Sequence, residues 1–418
     1  MPRPLHLSQS AELLQTILSG DAPADKQMER YFRAHPAMGV KDRAEVAETV
    51  YACLRHRRLL EHVAQSTDPA ALVAAHWLRE GVSARVLEQA GFGGDCRALA
   101  ARVRTVDVAA LPFAVRASLP GWLAERLIAQ YGLDEATALA QTLNQPASVD
   151  LRVNTLKTKP EELAHRLTAA GFACDPTPYS PCGLRLRERA PVFRTALFRD
   201  GLFEVQDEGS QIVSFLLEPR RGEMIVDFCA GAGGKTLHLG ALMANTGTLY
   251  AFDTAAARLE RLAPRLRRAG LSNVRAVALV HERDARAQRL YGKIDKVLVD
   301  APCSRTGTLR RHPDIKWRGI DLPALVDAQR CILAAAAPLL KPGGRLVYAT
   351  CSLLAEENEA VVADFLAAHP DFRLVPAGQV LARRHIALDA APDGSLRLTP
   401  HRHGTDGFYA AILSRASG

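Results

Sequence analysis

Met224-Ile-Val-Asp-Phe-Cys-Ala-Gly-Ala-Gly-Gly-Lys-Thr236 decides the fold of the larger part of this chain. A short apolar run ending in an acid breaks into a glycine-dense turn, and helix-forming residues follow from Leu237 to Met243. Such a strand, turn and helix let backbone approach a ligand at a helix N-terminus, outside the carboxyl end of a sheet. Working outward, Gly247-Thr-Leu-Tyr-Ala-Phe252, Lys296-Val-Leu-Val299 and Arg345-Leu-Val-Tyr-Ala349 are equally short and apolar, and helical stretches separate them. Strands buried on both faces of a parallel sheet read this way. Residues 221–418 are therefore expected to form a doubly wound α/β domain.

Upstream the pattern changes. Residues 1–143 read as helices with turn punctuation, as in Lys41-Asp-Arg-Ala-Glu-Val-Ala-Glu-Thr-Val-Tyr-Ala-Cys-Leu-Arg55, where apolar residues recur at helical spacing. Residues 144–220 alternate instead: Ser148-Val-Asp-Leu-Arg-Val153 reads as a strand, Lys159-Pro-Glu-Glu-Leu-Ala-His-Arg-Leu167 as a short helix, and strand-like pieces follow around Leu184 and Phe203. A small α+β module is expected there. Three domains suit a chain of 418 residues.

Composition narrows the class. With 48% hydrophobic and 23% charged residues the chain is globular in character. No apolar run approaches the roughly 20 residues that span a bilayer, and the start lacks the apolar core of a secretion signal, so a cytoplasmic protein without a membrane partner is expected. A formal charge of +8 favours a polyanionic partner, although arginine runs on helices are often solvated faces. The eight cysteines show no C-x-x-C or Cys/His cluster, so no metal is expected, and each is either a small core residue or a thiol with chemistry.

The turn discriminates between cofactors. A dinucleotide fingerprint starting at Gly231 needs glycine at 236, which is Thr236, and a P-loop ending in Lys235-Thr236 needs glycine at 229, which is Cys229. S-adenosylmethionine carries no phosphate and asks for close backbone approach plus an acid for its ribose hydroxyls. Asp253, 18 residues after Lys235, stands where that acid belongs or caps the following helix. Asp284 is placed to meet the adenine, with Asp295 or a loop role as alternatives.

Two further strands end in Asp300-Ala-Pro-Cys-Ser304 and Ala349-Thr-Cys-Ser352. Either thiol alone reads as a strand-end core residue; two beside a methyl donor read as chemistry. Carbon 5 of cytosine is a poor nucleophile until a thiolate adds to carbon 6, and after methyl transfer the carbon-5 proton must leave so that the thiol is eliminated. An enzyme methylating an exocyclic nitrogen or a ribose hydroxyl needs none of this. One thiol of the pair attacks, and Asp300 is the candidate to hold the base edge at nitrogen 3.

The stretches Asp300-Ala-Pro-Cys-Ser-Arg-Thr-Gly-Thr-Leu-Arg-Arg-His-Pro-Asp-Ile-Lys-Trp-Arg318 and Leu340-Lys-Pro-Gly-Gly-Arg-Leu-Val-Tyr-Ala-Thr-Cys-Ser-Leu-Leu-Ala-Glu-Glu-Asn358 closely resemble the Sun/RsmB family of RNA cytosine-5 methyltransferases. The resemblance extends through Phe203-Glu-Val-Gln-Asp-Glu-Gly-Ser-Gln211 and Asp406-Gly-Phe-Tyr409 and covers most of residues 146–418. It implies a Rossmann-like S-adenosylmethionine-dependent methyltransferase domain with Cys351 as nucleophile and Cys303 promoting product release. It also implies a cofactor site made of Cys229, Ala230, Gly231, Ala232, Gly233, Gly234, Lys235, Asp253, Asp284 and Asp300. Two departures stand out: Gly231-Ala232 where many members have Ala-Pro, and Arg305 in place of a small residue.

The first domain resembles the NusB-like helical domain of the bacterial branch that acts on 16S ribosomal RNA, and the middle module resembles that family's small RNA-binding domain. Arg310, Arg311, Lys316 and Arg318 are expected to hold phosphates near the reaction centre, while Trp317 either supports an extruded base or belongs to a core. The expected partner is 16S ribosomal RNA, bound by a monomer. Transfer RNA is the alternative substrate, and a non-catalytic ribosome-assembly or antitermination adapter is the alternative class.

Overall fold

The computed structural model describes residues 3–417, which divide into two compact units: residues 3–146 with Thr308–Ile320, and residues 147–307 with 321–417. The first is helical. Its long helices include Pro4–Ser19, Ala24–Ala34, Val40–Ala64, Pro69–Arg79, Gly121–Tyr131 and Leu133–Leu143. Leu13, Leu14, Val50, Leu54 and Leu72 meet in its core, each at most 1% exposed. Val40–Ala64 runs nine residues past the expected end at Arg55, bending at His56 and stopping where Gln65 turns left-handed at φ 52°. Asp68 caps the next helix by accepting from the Ala71 amide, with Pro69 pre-set in the first turn.

Thr308–Ile320 belongs to this helical unit, which corrects the expectation for the cations it carries. Lys316 is 2% exposed and donates to the carbonyls of Arg55 and Ser118 and to Asn144 Oδ1. Burial, with Arg55 adding to it, pushes its ammonium down to about 7. Arg310 is also buried, and Arg318 donates to the Ala22 carbonyl and pairs with Asp314 at 2.6 Å. Arg311 is half-buried. Trp317 takes the core alternative: its Nε1 donates to the Leu54 carbonyl at 2.7 Å, and Arg57 lies over its ring. A lysine spent on three internal acceptors is a latch, not a phosphate clamp.

In the second unit, a small antiparallel sheet contains β1 (Asp150–Val153), β2 (Cys174–Pro176), β3 (Gly183–Leu186) and β4 (Phe203–Val205) in the order β2-β3-β1-β4. The large sheet contains β5 (Met224–Asp227), β6 (Thr248–Asp253), β7 (Val274–Ala278), β8 (Ile294–Asp300), β9 (Leu340–Thr350), β10 (Phe372–Val375), β11 (Leu396–Leu398) and β12 (Phe408–Arg415). Its order is β10-β12-β9-β8-β5-β6-β7, with β11 paired to β12. Strands β5 to β9 are parallel, while β10, β11 and β12 join antiparallel. Expectation and structure part at those last strands: β10 and β11 have four and three residues, too few for alternation to be read, and the eight-residue β12 pairs antiparallel with β9.

The small sheet and the large one share a hydrophobic core: Leu151, Leu163 and Phe203 pack in one cluster with Ile225, Leu298 and Val347. That shared core is why residues 147–220 stand with the α/β part and not as a third unit. Chain order reverses between β5 and β8, so the connections leave to opposite sides and a crevice opens at their carboxyl ends. Among the described residues Leu322–Leu339 alone has the length and apolar character to cross a bilayer; it carries Asp327 and Arg330 and lies against β8 and β9.

Replacing Lys316 by alanine strips a donor from three buried acceptors. The helical unit should lose about 2–4 kcal/mol. All three tryptophans, Trp77, Trp122 and Trp317, lie in that unit, so urea unfolding followed by tryptophan fluorescence measures the loss directly.

Candidate active site

Strand β5 ends at Asp227, and the next residues turn sharply into the helix Gly234–Leu242. Gly231 and Gly233 adopt φ 55° and 85°. A Cβ at Gly233 would stand 2.1 Å from Leu262, so the turn needs glycine there for space as well as for dihedral angle. Two arginines fix its carbonyls. Arg152 of β1 donates to the Gly234 carbonyl at 2.6 Å, and Arg265, paired with Glu204, donates to the Ala232 carbonyl at 2.6 Å.

The turn borders a cavity of about 800 Å³. Cys229, Ala230, Gly231, Ala232, Gly234 and Lys235 all line it, whereas Gly233 is packed behind. Asp253, at the end of β6, faces the same cavity. Its Oδ2 accepts from the Gly231 amide at 2.8 Å and its Oδ1 from the Ala255 amide at 2.7 Å, so each oxygen keeps acceptor capacity. Asp284 does not line the cavity. Its carboxylate caps Ala285–Gln288, accepts from the Val280 amide and pairs with Arg286, whose guanidinium holds the carboxyl well below its usual range. Its neighbours Leu279 and Glu282 line the cavity instead.

Lys235 and Asp300 form an ion pair at 2.7 Å on the cavity wall. Burial works against the ammonium, but Asp300 outweighs it and the net shift is upward. The Lys235 ammonium also sits 5.3 Å from the ring centre of Phe408, which places the Asp406-Gly-Phe-Tyr409 stretch beside the site. Asp227 is 1% exposed; Thr236 donates to its Oδ2 at 2.6 Å, and its Oδ1 has no hydrogen-bond partner.

Strands β8 and β9 are neighbours, so their carboxyl ends deliver Cys303 and Cys351 side by side, with Sγ atoms 3.4 Å apart on the cavity. The loop after Cys303 is pinned to the loop holding Cys351: the Gly307 amide donates to the Cys351 carbonyl, and the Leu353 amide to Thr306 Oγ1, both at 2.9 Å. A Cβ at Gly307 would fall 2.2 Å from the Gly407 carbonyl oxygen. The contact with Cys351, together with burial and the Glu357 carboxylate, pushes the Cys303 thiol far up.

The cavity thus gathers Cys229 to Lys235 apart from Gly233, with Asp253, Asp300, Cys303 and Cys351. It does not gather Asp284, and Arg310, Arg311, Lys316 and Arg318 belong to the helical unit. Sequence reading missed Arg152, Arg265, Asp227 and Glu357. Arg152 left one trace, a lone cation inside the apolar strand Leu151-Arg-Val153. Arg265 had none, since it stands among arginines that look like a solvated face.

Comparison with known proteins follows this geometry. A family model described as 16S rRNA methyltransferase RsmB/F matches residues 214–414, and one described as the RsmF/B-like ferredoxin-like domain matches residues 119–193. The chain is 36% identical over 305 residues to a probable ribosomal RNA small subunit methyltransferase B of Synechocystis, covering 72% of this chain and 67% of that one. A ribosomal RNA small subunit methyltransferase B of Vibrio cholerae is 37% identical, with 71% and 65% covered. The chain therefore spans about two thirds of the length of these curated relatives. Among solved structures, PH0851 superposes with a TM-score of 0.79 at 28% identity, covering 99% of each chain. A methyltransferase homolog protein from Pyrococcus horikoshii gives 0.61 at 30% identity, covering 72% of this chain and 97% of that one. Sequence, sheet order and site geometry agree, and the chain belongs to the RsmB/F family of 16S rRNA methyltransferases, which are S-adenosylmethionine-dependent RNA methyltransferases.

Proposed function

We propose that this chain methylates carbon 5 of a cytosine in 16S ribosomal RNA through a covalent adduct between Cys351 and carbon 6 of the base. The observation that carries this reading is the Cys303–Cys351 pair, 3.4 Å apart in the same cavity as the glycine turn. Methylation at a nitrogen or a ribose hydroxyl has no use for two thiols. A pyrimidine carbon needs one to add and gains from a second when the first must leave.

The cavity fits the methyl donor. Its volume lies within the range of small-ligand sites, the turn brings backbone to its edge, and Asp253 retains acceptor capacity for ribose hydroxyls. Bound there, S-adenosylmethionine supplies an electrophilic methyl group. The turn from Cys229 to Lys235 and Asp253 hold it; Asp284, spent on its own helix and on Arg286, has no part in this assignment. The unsatisfied Oδ1 of Asp227 gives the cavity floor a further polar anchor.

The remaining steps belong to the chain's own residues. Asp300, oriented by Lys235, holds the base edge at nitrogen 3. Cys351 Sγ gives up its proton and bonds carbon 6, which moves electron density to carbon 5. Once carbon 5 carries its methyl group, its proton passes to solvent water, the electron pair of that C–H bond restores the ring double bond and the Sγ–C6 bond breaks. The Cys303 S–H, held 3.4 Å away, is placed to protonate the departing Cys351 sulfur. This chemistry requires no metal. Arg258 and Arg305 line the cavity and replace the helical unit's cations as phosphate contacts. A monomer suffices for every role named, and a ribosomal RNA substrate places the reaction in the cytoplasm.

Incubation with tritiated cofactor and separate RNA pools tests the substrate: label in 16S RNA is expected, and label confined to transfer RNA would refute the choice. Cys351→Ala should abolish transfer and leave no covalent complex. Cys303→Ala should accumulate a protein–RNA adduct that survives denaturation, and exchanged phenotypes on a denaturing gel would reverse the two roles. Asp227 supplies a pH test. Burial is the main cause that raises its carboxyl from the ordinary 3.8 to about 7, and Asp300 adds to it. Between those values the folded chain holds a proton that the unfolded chain has lost, so stability should fall as pH rises from about 4 to 7. Asp227→Asn keeps the Thr236 hydrogen bond and should flatten that slope in urea titrations at the two pH values.

A further inference from the structure

Behind the two thiols lies a carboxylate that the chemistry above does not use. Glu357 is wholly buried, and among the described residues no ion pair to it is formed. Its Oε1 accepts from the Ser304 amide at 2.7 Å and from Gln329 Nε2 at 3.0 Å; its Oε2 accepts from both the Ser304 and Ser352 hydroxyls. Gln329 also donates to the Pro302 carbonyl at 2.9 Å. Ser304 follows Cys303 and Ser352 follows Cys351, so one carboxylate takes hold of both loops one residue beyond each thiol. The Glu357 carbonyl in turn accepts from the Tyr348 hydroxyl at 2.6 Å, which fixes the segment to β9.

Burying a carboxylate without a counterion is costly, and hydrogen bonds from neutral donors offset the cost only in part. A glutamine with the same shape would avoid the charge. It would also turn an NH₂ toward donors that need an acceptor. We propose that Glu357 is a positioning residue for the reaction: it clamps the Cys303 and Cys351 loops at reacting distance, and its negative charge keeps Cys303 as the neutral thiol of the pair. The proposal rests on the two-thiol reading and adds what positions the two sulfurs and keeps the proton on Cys303.

The surroundings of Cys303 support it. The titratable and charged groups around this thiol include Cys351, Glu357 and Tyr348 from β9 and the segment after it, Asp300 on the preceding strand end, and Arg305 two residues on, whose backbone amide donates to the sulfur and whose side chain lines the cavity. Lys235 is engaged by Asp300 at 2.7 Å. With Cys351 as the sulfur that ionises, a protonated Cys303 donates across the 3.4 Å gap and is later the nearest proton source for the leaving sulfur.

Iodoacetamide labelling of the full chain between pH 6 and 9, with the Cys303 and Cys351 peptides followed by mass spectrometry, reads the protonation state without RNA or cofactor. In the wild type Cys351 should label faster than Cys303. Glu357→Gln should raise the Cys303 rate at neutral pH about tenfold, the size of a one-unit fall in its pKa. Glu357→Asp keeps the charge but shortens the reach; it should leave the Cys303 rate within about twofold while lowering methyl transfer about tenfold or more, as misplacement of a reacting group does. Equal Cys303 rates in all three proteins would overturn the electrostatic role. A parallel rise at both thiols in both variants would show loops merely falling open and would overturn it as well. Adduct trapping in Cys303→Ala stands apart from these rates, so failure of the two-thiol reading is distinguishable from failure of this one.

Discussion

A carboxylate shut away from water beside two thiols constrains everything around it. Glu357 accepts from two loops and a helix, and each donor satisfied there ties down the segment that carries it. Adjacent parallel strands bring the ends of β8 and β9 to neighbouring positions, but strand spacing alone leaves the connecting loops free to splay. The sulfur–sulfur distance is set by what happens after the strands end. Hydrogen bonds from Ser304 and Ser352, the Gly307 amide on the Cys351 carbonyl, and the close approach of Gly307 to Gly407 all act within a few residues of the thiols. Rigidity is concentrated where reacting atoms must be held, as catalysis by positioning requires.

The cofactor turn is held from outside by the same logic. Glycines make its conformation accessible, yet accessibility is not order: residues with few steric limits also have the most entropy to lose. Arg152 and Arg265 supply the missing restraint by binding the Gly234 and Ala232 carbonyls. Arg152 comes from the small sheet and Arg265 from the helix Leu262–Ala269, so the turn is ordered by residues up to 82 positions away in sequence. This gives the small α+β part a role inside the catalytic unit besides any contact with RNA. Its core is continuous with that of the large sheet, and its arginine completes the cofactor turn.

How much of this could be read beforehand follows from the range of the forces involved. Strands β5, β6, β8 and β9 and the residues at their carboxyl ends were legible because apolar periodicity and glycine spacing are local signals, and the sheet topology places those ends together whatever the detail. Cys303, Cys351, Asp300 and Asp253 were singled out on that basis, and all four line the cavity. Asp284 was misread because an acid at the expected distance from a strand satisfies a spacing rule equally well when its carboxylate caps a four-residue helix and pairs with Arg286. Glu357 and Arg265 were invisible for the opposite reason. Their roles arise from partners far apart in the chain, and a glutamate after a strand or an arginine on a helix looks like surface until the fold is assembled.

The basic stretch after the Pro-Cys-Ser loop shows most sharply why charge in sequence is not charge on a surface. Arg310, Lys316 and Arg318 lie within nine residues of one another, close in sequence to Cys303, and a polyanion-binding strip is the natural reading. In the structure Lys316 and Arg318 satisfy carbonyls, Asn144 and Asp314 inside the helical unit, and Arg310 is buried there. A buried ammonium is worth keeping only where several fixed acceptors offset its desolvation, and Lys316 has three. The energetic consequence is structural: the segment leaving the Cys303 loop is anchored by polar groups that an apolar side chain could not satisfy. The chain's net charge of +8 still favours a polyanionic partner, and Arg258 and Arg305 stand on the cavity at positions no composition could reveal.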